Sequence, residues 1–296
     1  MVGVDDADVS AVCDSIANAI SDSITPQILP DISIHSIEGK NIISIEVFPS
    51  PHRPYYISSN GKTDGVYIRV AGTTRPAGPA IIKDLELEGS NMSYDALVCQ
   101  EMAYDGRDAE KLCKIIEQYI LEDSGIKKQV KSEMLERWGV LKRVNNKLLP
   151  TNAFMMLTNN PFREARIQCG LFKGTTRAVF IDKREFNGPL YEQIEEAYQF
   201  VLKHINLGMI IEGIVSKDVY ELPTESIREM IVNAVVHRNY AESASIQVAI
   251  FDDRVEVTSP GMLYGGLTLN EILSGTSKIR NKTIATIFAQ MHIIED

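Results

Sequence analysis

Hydrophobic and polar positions follow two periods along this chain, and the change of period marks out its elements. Ile32-Ser-Ile-His-Ser-Ile37 and Asn41-Ile-Ile-Ser-Ile-Glu-Val47 alternate about Glu38-Gly39-Lys40. Ile32/Ile34 and Ile43/Ile45/Val47 thereby fall on single faces, which predicts a hairpin. Clustered Pro49, Pro51 and Pro54 interrupt the alternation, Tyr55-Tyr-Ile57 resumes it, and Asn60-Gly61 and Asp64-Gly65 signal turns before a strand at Val66–Val70. From Tyr94 to about Glu122 the period becomes helical, with Leu112, Ile115, Ile116, Tyr119 and Ile120 in register. A charged helix is expected over Lys127–Trp138, and a hairpin over Val140–Leu149 around Asn145-Asn146. Ala165–Phe172 and Arg177–Ile181 read as a strand pair. Leu190, Ile194, Ala197, Val201 and Ile205 share one face of a long helix, with proline tolerated in its first turn.

The most informative stretch is Glu225-Ser-Ile-Arg-Glu229-Met-Ile-Val-Asn233-Ala-Val-Val-His237. Glu225, Glu229, Asn233 and His237 recur at every fourth position and so line one face of a helix. The rest of that helix is apolar, so it is expected to be buried, and a buried Glu and Asn require partners. Those partners are either protein groups or a hydrated metal with a phosphate. A hairpin is predicted next: Ser245–Phe251, an Asp252-Asp253-Arg254 turn, and Val255–Thr258. It leads into Ser259-Pro-Gly261-Met-Leu-Tyr-Gly265-Gly266-Leu267, where glycines let backbone approach a ligand closely.

This ordered set resembles the divergent GHKL-type ATPase module of Schlafen AlbA-type transcriptional regulators. The resemblance rests on Arg228–Tyr240, Phe251–Val257, Ser259-Pro-Gly261 and Ser277-Lys-Ile-Arg280-Asn281. It implies that Asn233 is a magnesium ligand and Glu229 the general base. His237, Ser259, Gly261, Gly265, Gly266, Ser277 and Arg280 would border the nucleotide, and the cofactors implied are ATP and Mg. Magnesium takes few protein oxygens and works with substrate phosphates, which suits an Asn on such a helix. The chain departs from the family where an adenine-reading Asp would stand: Thr258-Ser-Pro-Gly261 carries no acid. Ser259 offers a hydroxyl there, a weaker acceptor than a carboxylate. His237 fits either a phosphate contact or a helix C-cap, favourable there as a cation.

A second resemblance covers roughly the first 93 residues. Tyr55-Tyr56 and Tyr67-Ile-Arg69-Val-Ala-Gly72-Thr-Thr-Arg75 are similar to the Schlafen AlbA-type DNA-binding domain, with Val2–Asp6 resembling the end of its early portion. The resemblance implies DNA as a partner, with Arg53, Arg69 and Arg75 as nucleic-acid contacts, and a fragment cut at both ends. The expected architecture is α+β and multi-domain. An AlbA/Schlafen-like α/β domain spans 1–93, a helical, winged-helix-like and β segment 94–186, and a partial GHKL (Bergerat) α/β sandwich 187–296. A homodimer is left open.

Composition narrows the function classes. Thirty Lys+Arg against 40 Asp+Glu give a formal net charge of −10, the wrong sign for a generic polyanion binder, although a local basic patch can coexist with an acidic whole. The densest positive run, Lys127 to Lys147, is interleaved with acids and reads as a solvated face. Cys13, Cys99, Cys113 and Cys169 are scattered, and no zinc spacing occurs among the His residues. No apolar run approaches a membrane span, so a cytoplasmic, non-membrane protein is expected. No Gly-x-Ser-x-Gly elbow or Cys/His pairing supports an ordinary hydrolase. Two functions follow: a DNA-binding transcriptional regulator switched by a nucleotide, at most a weak Mg-dependent ATPase, or a non-catalytic scaffold with a degenerate GHKL fold.

Overall fold

The computed structural model describes residues 8–37, 40–48, 52–70, 72–99, 102, 104–212 and 215–294, with side chains excluded over 210–218. The stretch Val2–Asp6, the turn residues Glu38-Gly39, and Pro49 and Pro51 lie outside the described residues. The chain divides into two compact units, Met1–Met92 and Ser93–Asp296.

The first unit runs α1 (Val9–Ser23), β1 (Ile24–Thr25), β2 (Asp31–Ile37), β3 (Lys40–Glu46), β4 (Tyr56–Ile57), α2 (Gly61–Asp64), β5 (Tyr67–Val70), β6 (Thr73–Pro76) and α3 (Pro79–Gly89). β2–β3, β5–β6 and β1–β4 are separate antiparallel pairs. The alternating isoleucines set the β2–β3 strands, but Ile34 and Ile37 stay about half exposed, at 53% and 50%. α3 opens on Pro79 in its first turn, where the missing amide costs nothing.

The second unit runs α4 (Gly106–Ser124), α5 (Ser132–Arg137), β7 (Leu141–Val144), β8 (Lys147–Pro150), α6 (Asn152–Thr158), β9 (Ile167–Phe172), β10 (Phe180–Phe186) and α7 (Leu190–His204). It continues with β11 (Leu207–Glu212), β12 (Val215–Tyr220), α8 (Thr224–Val236), β13 (Ile246–Ile250), β14 (Val255–Thr258), α9 (Leu269–Leu273) and α10 (Lys282–Gln290). Four strands form one sheet in the order β10-β9-β13-β14, antiparallel except for the parallel β9–β13 pair. α7 and α8 pack on each other and on this sheet, and α6 and α10 complete the layer. One core joins Ile167 of β9, Ala197 and Val201 of α7, Ile231 and Val235 of α8, Val248 of β13 and Ile287 and Phe288 of α10. The sheet draws strands from both sides of residue 186, so the expected central segment and ATPase-like module share a core.

Several helix ends differ from the periodicity. The helix expected from Tyr94 begins only at Gly106, where the Asp105 carboxylate accepts the Arg107 amide as an N-cap. Upstream, Asp95 is fully buried, and its carboxylate accepts the amide of Ile284 in the first turn of α10. The pairing draws the 94–96 turn to another helix. Residues 127–131 are likewise not helical: the Val130 amide is held by the Glu117 carboxylate at 2.7 Å, and α5 starts at Ser132. Pro189 stands at the N-cap of α7 rather than within its first turn. The Asn145-Asn146 turn takes left-handed φ values of 48° and 62°, as a two-residue hairpin requires.

Candidate functional site

The polar row of α8 is not buried. Glu225, Glu229 and Asn233 are exposed and His237 is half-buried, while Ile227, Ile231, Val232, Val235 and Val236 face the core. The expectation of a wholly buried helix fails because only one side of α8 meets the sheet, α7 and α10. Met230, 41% exposed, lies outside the core with the polar residues. The opposite wall is the loop after β14, so Glu229, Asn233 and His237 border a cleft of about 570 Å3 together with Ser259, Gly261, Leu267 and Ser277. Such a volume lies in the range of small-ligand sites. Glu225, one turn earlier, lies outside the lining and accepts the Thr224 hydroxyl at 3.1 Å.

Interactions beneath the cleft explain how the loop is held. Ser259 donates its hydroxyl to the Ala234 carbonyl at 2.7 Å, stapling the loop to α8. The Pro260 carbonyl accepts the Asn239 amide at 2.8 Å. Gly261 has φ +115°, and an added Cβ would stand 2.8 Å from the Asn239 Cβ and 2.9 Å from Arg280 Nη1, so only glycine fits. Arg280 is 5% exposed, donates to the Met262 carbonyl and sits 5.2 Å from the Tyr264 ring centroid. It acts as an internal strut and is not among the residues lining the cleft. Lys278 lines the cleft but its ammonium donates to the Gly265 carbonyl at 2.8 Å. Gly265 and Gly266 are left-handed, at φ +65° and +72°, and form the single turn before α9. α9 itself opens on a reciprocal capping box between Thr268 and Glu271.

Burial depresses the His237 imidazole below its ordinary value, the nearby Arg280 charge adds to this, and a backbone hydrogen bond with Lys278 opposes it. A neutral imidazole is therefore favoured beside the cleft. Asn281, which follows Arg280 in the chain, is wholly buried. Its amide donates to the carbonyls of Val236 and Arg238, both at 2.8 Å, and fastens the end of α8 to the start of α10. Arg238 is also buried. Its Nη2 donates to three carbonyls, of Glu164, Glu242 and Ala244, and its guanidinium lies 4.6 Å from the Tyr240 ring centroid. Their neighbours in sequence give no sign of this internal bonding, because Glu164 lies far along the chain from Arg238, and Val236 from Asn281.

The oxygens of Asn233 and Glu229 suit a hard cation with retained waters, so the residues at this end fit a magnesium-bound phosphate. The base end does not fit in the same way, because no carboxylate lines it. Among the described residues, no group of three or more His, Cys, Asp or Glu side chains is placed to hold a metal by itself.

The three cations expected to contact nucleic acid are not brought together. Arg53 is ion-paired with Glu88 at 3.1 Å. On the β5–β6 hairpin, Arg69 lies opposite Thr74 and bonds its hydroxyl at 3.0 Å, while Arg75 lies opposite Ile68. Adjacent register positions point to opposite faces, so Arg69 and Arg75 diverge, with Tyr67 on the Arg69 side.

The fold is mixed α+β and multi-domain, with a helix-covered sheet bearing the cleft in the second unit. The comparisons with known proteins place two modules on it. Residues 1–78 match the family described as "Schlafen, AlbA_2". Residues 243–296 match the family described as "Putative ATP-dependent DNA helicase recG C-terminal", a span that begins after α8. The chain thus carries an AlbA_2-like N-terminal region and a HATPase_c-like (GHKL) C-terminal region. The crystal structure of the DIP2311 protein from Corynebacterium diphtheriae is similar in fold, with a TM-score of 0.55 at 20% identity over 95% of this chain. This chain spans 55% of the length of that one. No curated protein matches. Among the described residues, no helix is long and apolar enough to cross a membrane.

Proposed function

We propose that this chain belongs to a regulator in which the GHKL-like unit is a non-catalytic scaffold that binds no nucleotide. One observation carries the reading: polar groups in and behind the base end of the cleft are engaged with the protein's own main chain. Ser259 is bonded to Ala234, Lys278 to Gly265 and Arg280 to Met262, and no acid stands at the base end. The AlbA-like unit supplies the regulatory contact to DNA in this reading, with Arg69 beside Tyr67 as its exposed element. Thermal unfolding with and without magnesium-ATP tests the scaffold. A ligand present at a hundred times its Kd adds about 2.7 kcal/mol by mass action, an unmistakable rise in Tm. The scaffold requires no rise at millimolar nucleotide.

The cleft itself favours a second reading. Its volume of about 570 Å3 and the exposed Asn233 and Glu229 support a magnesium-nucleotide switch. Asn233 would hold the metal, whose charge would neutralise phosphate, and Glu229 would accept a proton from water. A Tm rise with magnesium-ATP that disappears in Asn233→Ala selects this reading. A rise with wild type alone already removes the scaffold.

A further inference from the structure

We propose that α5 and the β7–β8 hairpin, with the loop before them, form a second nucleic-acid contact that takes the phosphate backbone of a duplex. Residues 125–150 hold seven Lys and Arg against two Glu, within a chain whose net charge is −10. Of the two acids, Glu133 is exposed on α5 and Glu136 is paired within the motif. Glu136 is taken up by Arg143, which donates to both its oxygens at 3.1 and 3.0 Å. Among the described residues, no ion pair engages Lys127, Lys128, Lys131, Arg137, Lys142 or Lys147. Of these, all but the half-buried Lys142 are exposed.

The backbone that presents them is tied to the rest of the unit at two points. Val130 is 5% exposed and its amide is bonded to Glu117, so the loop carrying Lys127, Lys128 and Lys131 is anchored to α4. The Glu136–Arg143 pair joins α5 to β7. In the hairpin, Lys142 lies opposite Leu149 and Val144 opposite Lys147. Alternate positions share a face, so Lys142 and Lys147 stand together around the exposed Val144, while Leu141 and Pro150 turn to the core on the other face. The hairpin closes in two residues, a ribbon narrow enough for the roughly 12 Å major groove of a duplex. Unpaired cations on a tethered helix–hairpin motif suit a continuous polyanion, whose charges recur about every 1.7 Å along the axis. The contact is independent of the cleft and of its nucleotide.

Anisotropy of a labelled duplex of about 25 base pairs, titrated with the full chain between about 50 and 200 mM salt, tests the contact. Two variants are compared with wild type: Lys127→Gln/Lys128→Gln/Lys131→Gln and Lys142→Gln/Lys147→Gln. Each phosphate contact removed lowers the log–log salt slope by about 0.9, so the triple variant should lose between two and three units and bind at least ~10-fold more weakly at the lower salt. Unchanged affinity and slope in both variants overturns the proposal, as does absence of duplex binding by wild type. So does loss of binding in Arg69→Gln/Arg75→Gln while both lysine variants bind like wild type, which would assign the contact to the first unit. Equal competition by a polyaspartate of matched charge would mark an acidic-protein surface and equally refute it. Of the substituted lysines only Lys142 is half-buried and the others are exposed, and matching Tm values confirm that the fold is retained.

Discussion

Asn281→Ala should loosen the joint that forms one end of the cleft. Two amide-to-carbonyl bonds of 2.8 Å are lost, each worth about 1 kcal/mol net. The Val236 carbonyl keeps a bond of 3.3 Å from the Asn281 amide, whereas the Arg238 carbonyl loses the side-chain partner. Stranding one buried carbonyl adds about 1–3 kcal/mol, so the total is about 3–5 kcal/mol. For a unit of this size each kcal/mol moves Tm by roughly 2–4 °C, which predicts a fall of about 6–20 °C in scanning fluorimetry. Urea unfolding supplies the free energy, and Asn281→Asp should be no better, because it replaces the donor with a carboxylate facing two carbonyls. A loss below about 1 kcal/mol for Asn281→Ala would refute the reasoning, since one net hydrogen bond alone accounts for that much.

Gly261→Ala should cost about 2–4 kcal/mol, from its positive φ and the approach to Asn239 and Arg280, whereas Gly266→Ala, with open space around it, should cost about 1; equal urea midpoints for the two would contradict this. Arg238→Met leaves four carbonyls without their shared guanidinium donor and should lower stability by at least about 3 kcal/mol, read by the same unfolding curve. Burial raises the Asp95 carboxyl above its ordinary range, against hydrogen bonds from Ser93 and the amides of Ile284, Thr283 and Ala96. The folded state therefore holds this proton more tightly than the unfolded chain, so its contribution to stability is lost as pH rises from the unfolded value through the folded one. Asp95→Asn should remove that downward slope above about pH 4 in Tm against pH, and parallel curves for the two proteins would reject the assignment.

Much of the local structure was legible. The 245–258 hairpin, the Asn145-Asn146 turn and the α7 stripe follow from alternation, turn chemistry and helical spacing. These signals lie within a few residues of one another. What escaped depends on distant partners. Nothing near Tyr94 signals that Asp95 will meet the amide of Ile284, 189 residues later, and so the helix start was misplaced. Nothing near Lys127 signals that Glu117 will hold the Val130 amide. At the cleft, periodicity placed Glu229, Asn233 and His237 on one face, but the apolar residues around them pointed to a buried helix, whereas the packing of α8 leaves that face outside the core. The divergence of Arg69 and Arg75 was readable once their hairpin register was known; the pairing of Arg53 with Glu88 was not.

The parallel join between β9 and β13 has a consequence for synthesis. Arg166 and Ser245, bonded at the mouth of that join, are 79 residues apart. On a ribosome, β9 and β10 emerge first, and one side of β9 waits as an unsatisfied edge until residues 246–250 arrive. Such an edge invites pairing with another chain. β13, inserted between β9 and β14, is therefore the strand whose arrival covers that edge. A chain stopped before residue 246 would leave that edge bare, and the stretch from 243 onward, made alone, would lack the neighbour its central strand requires.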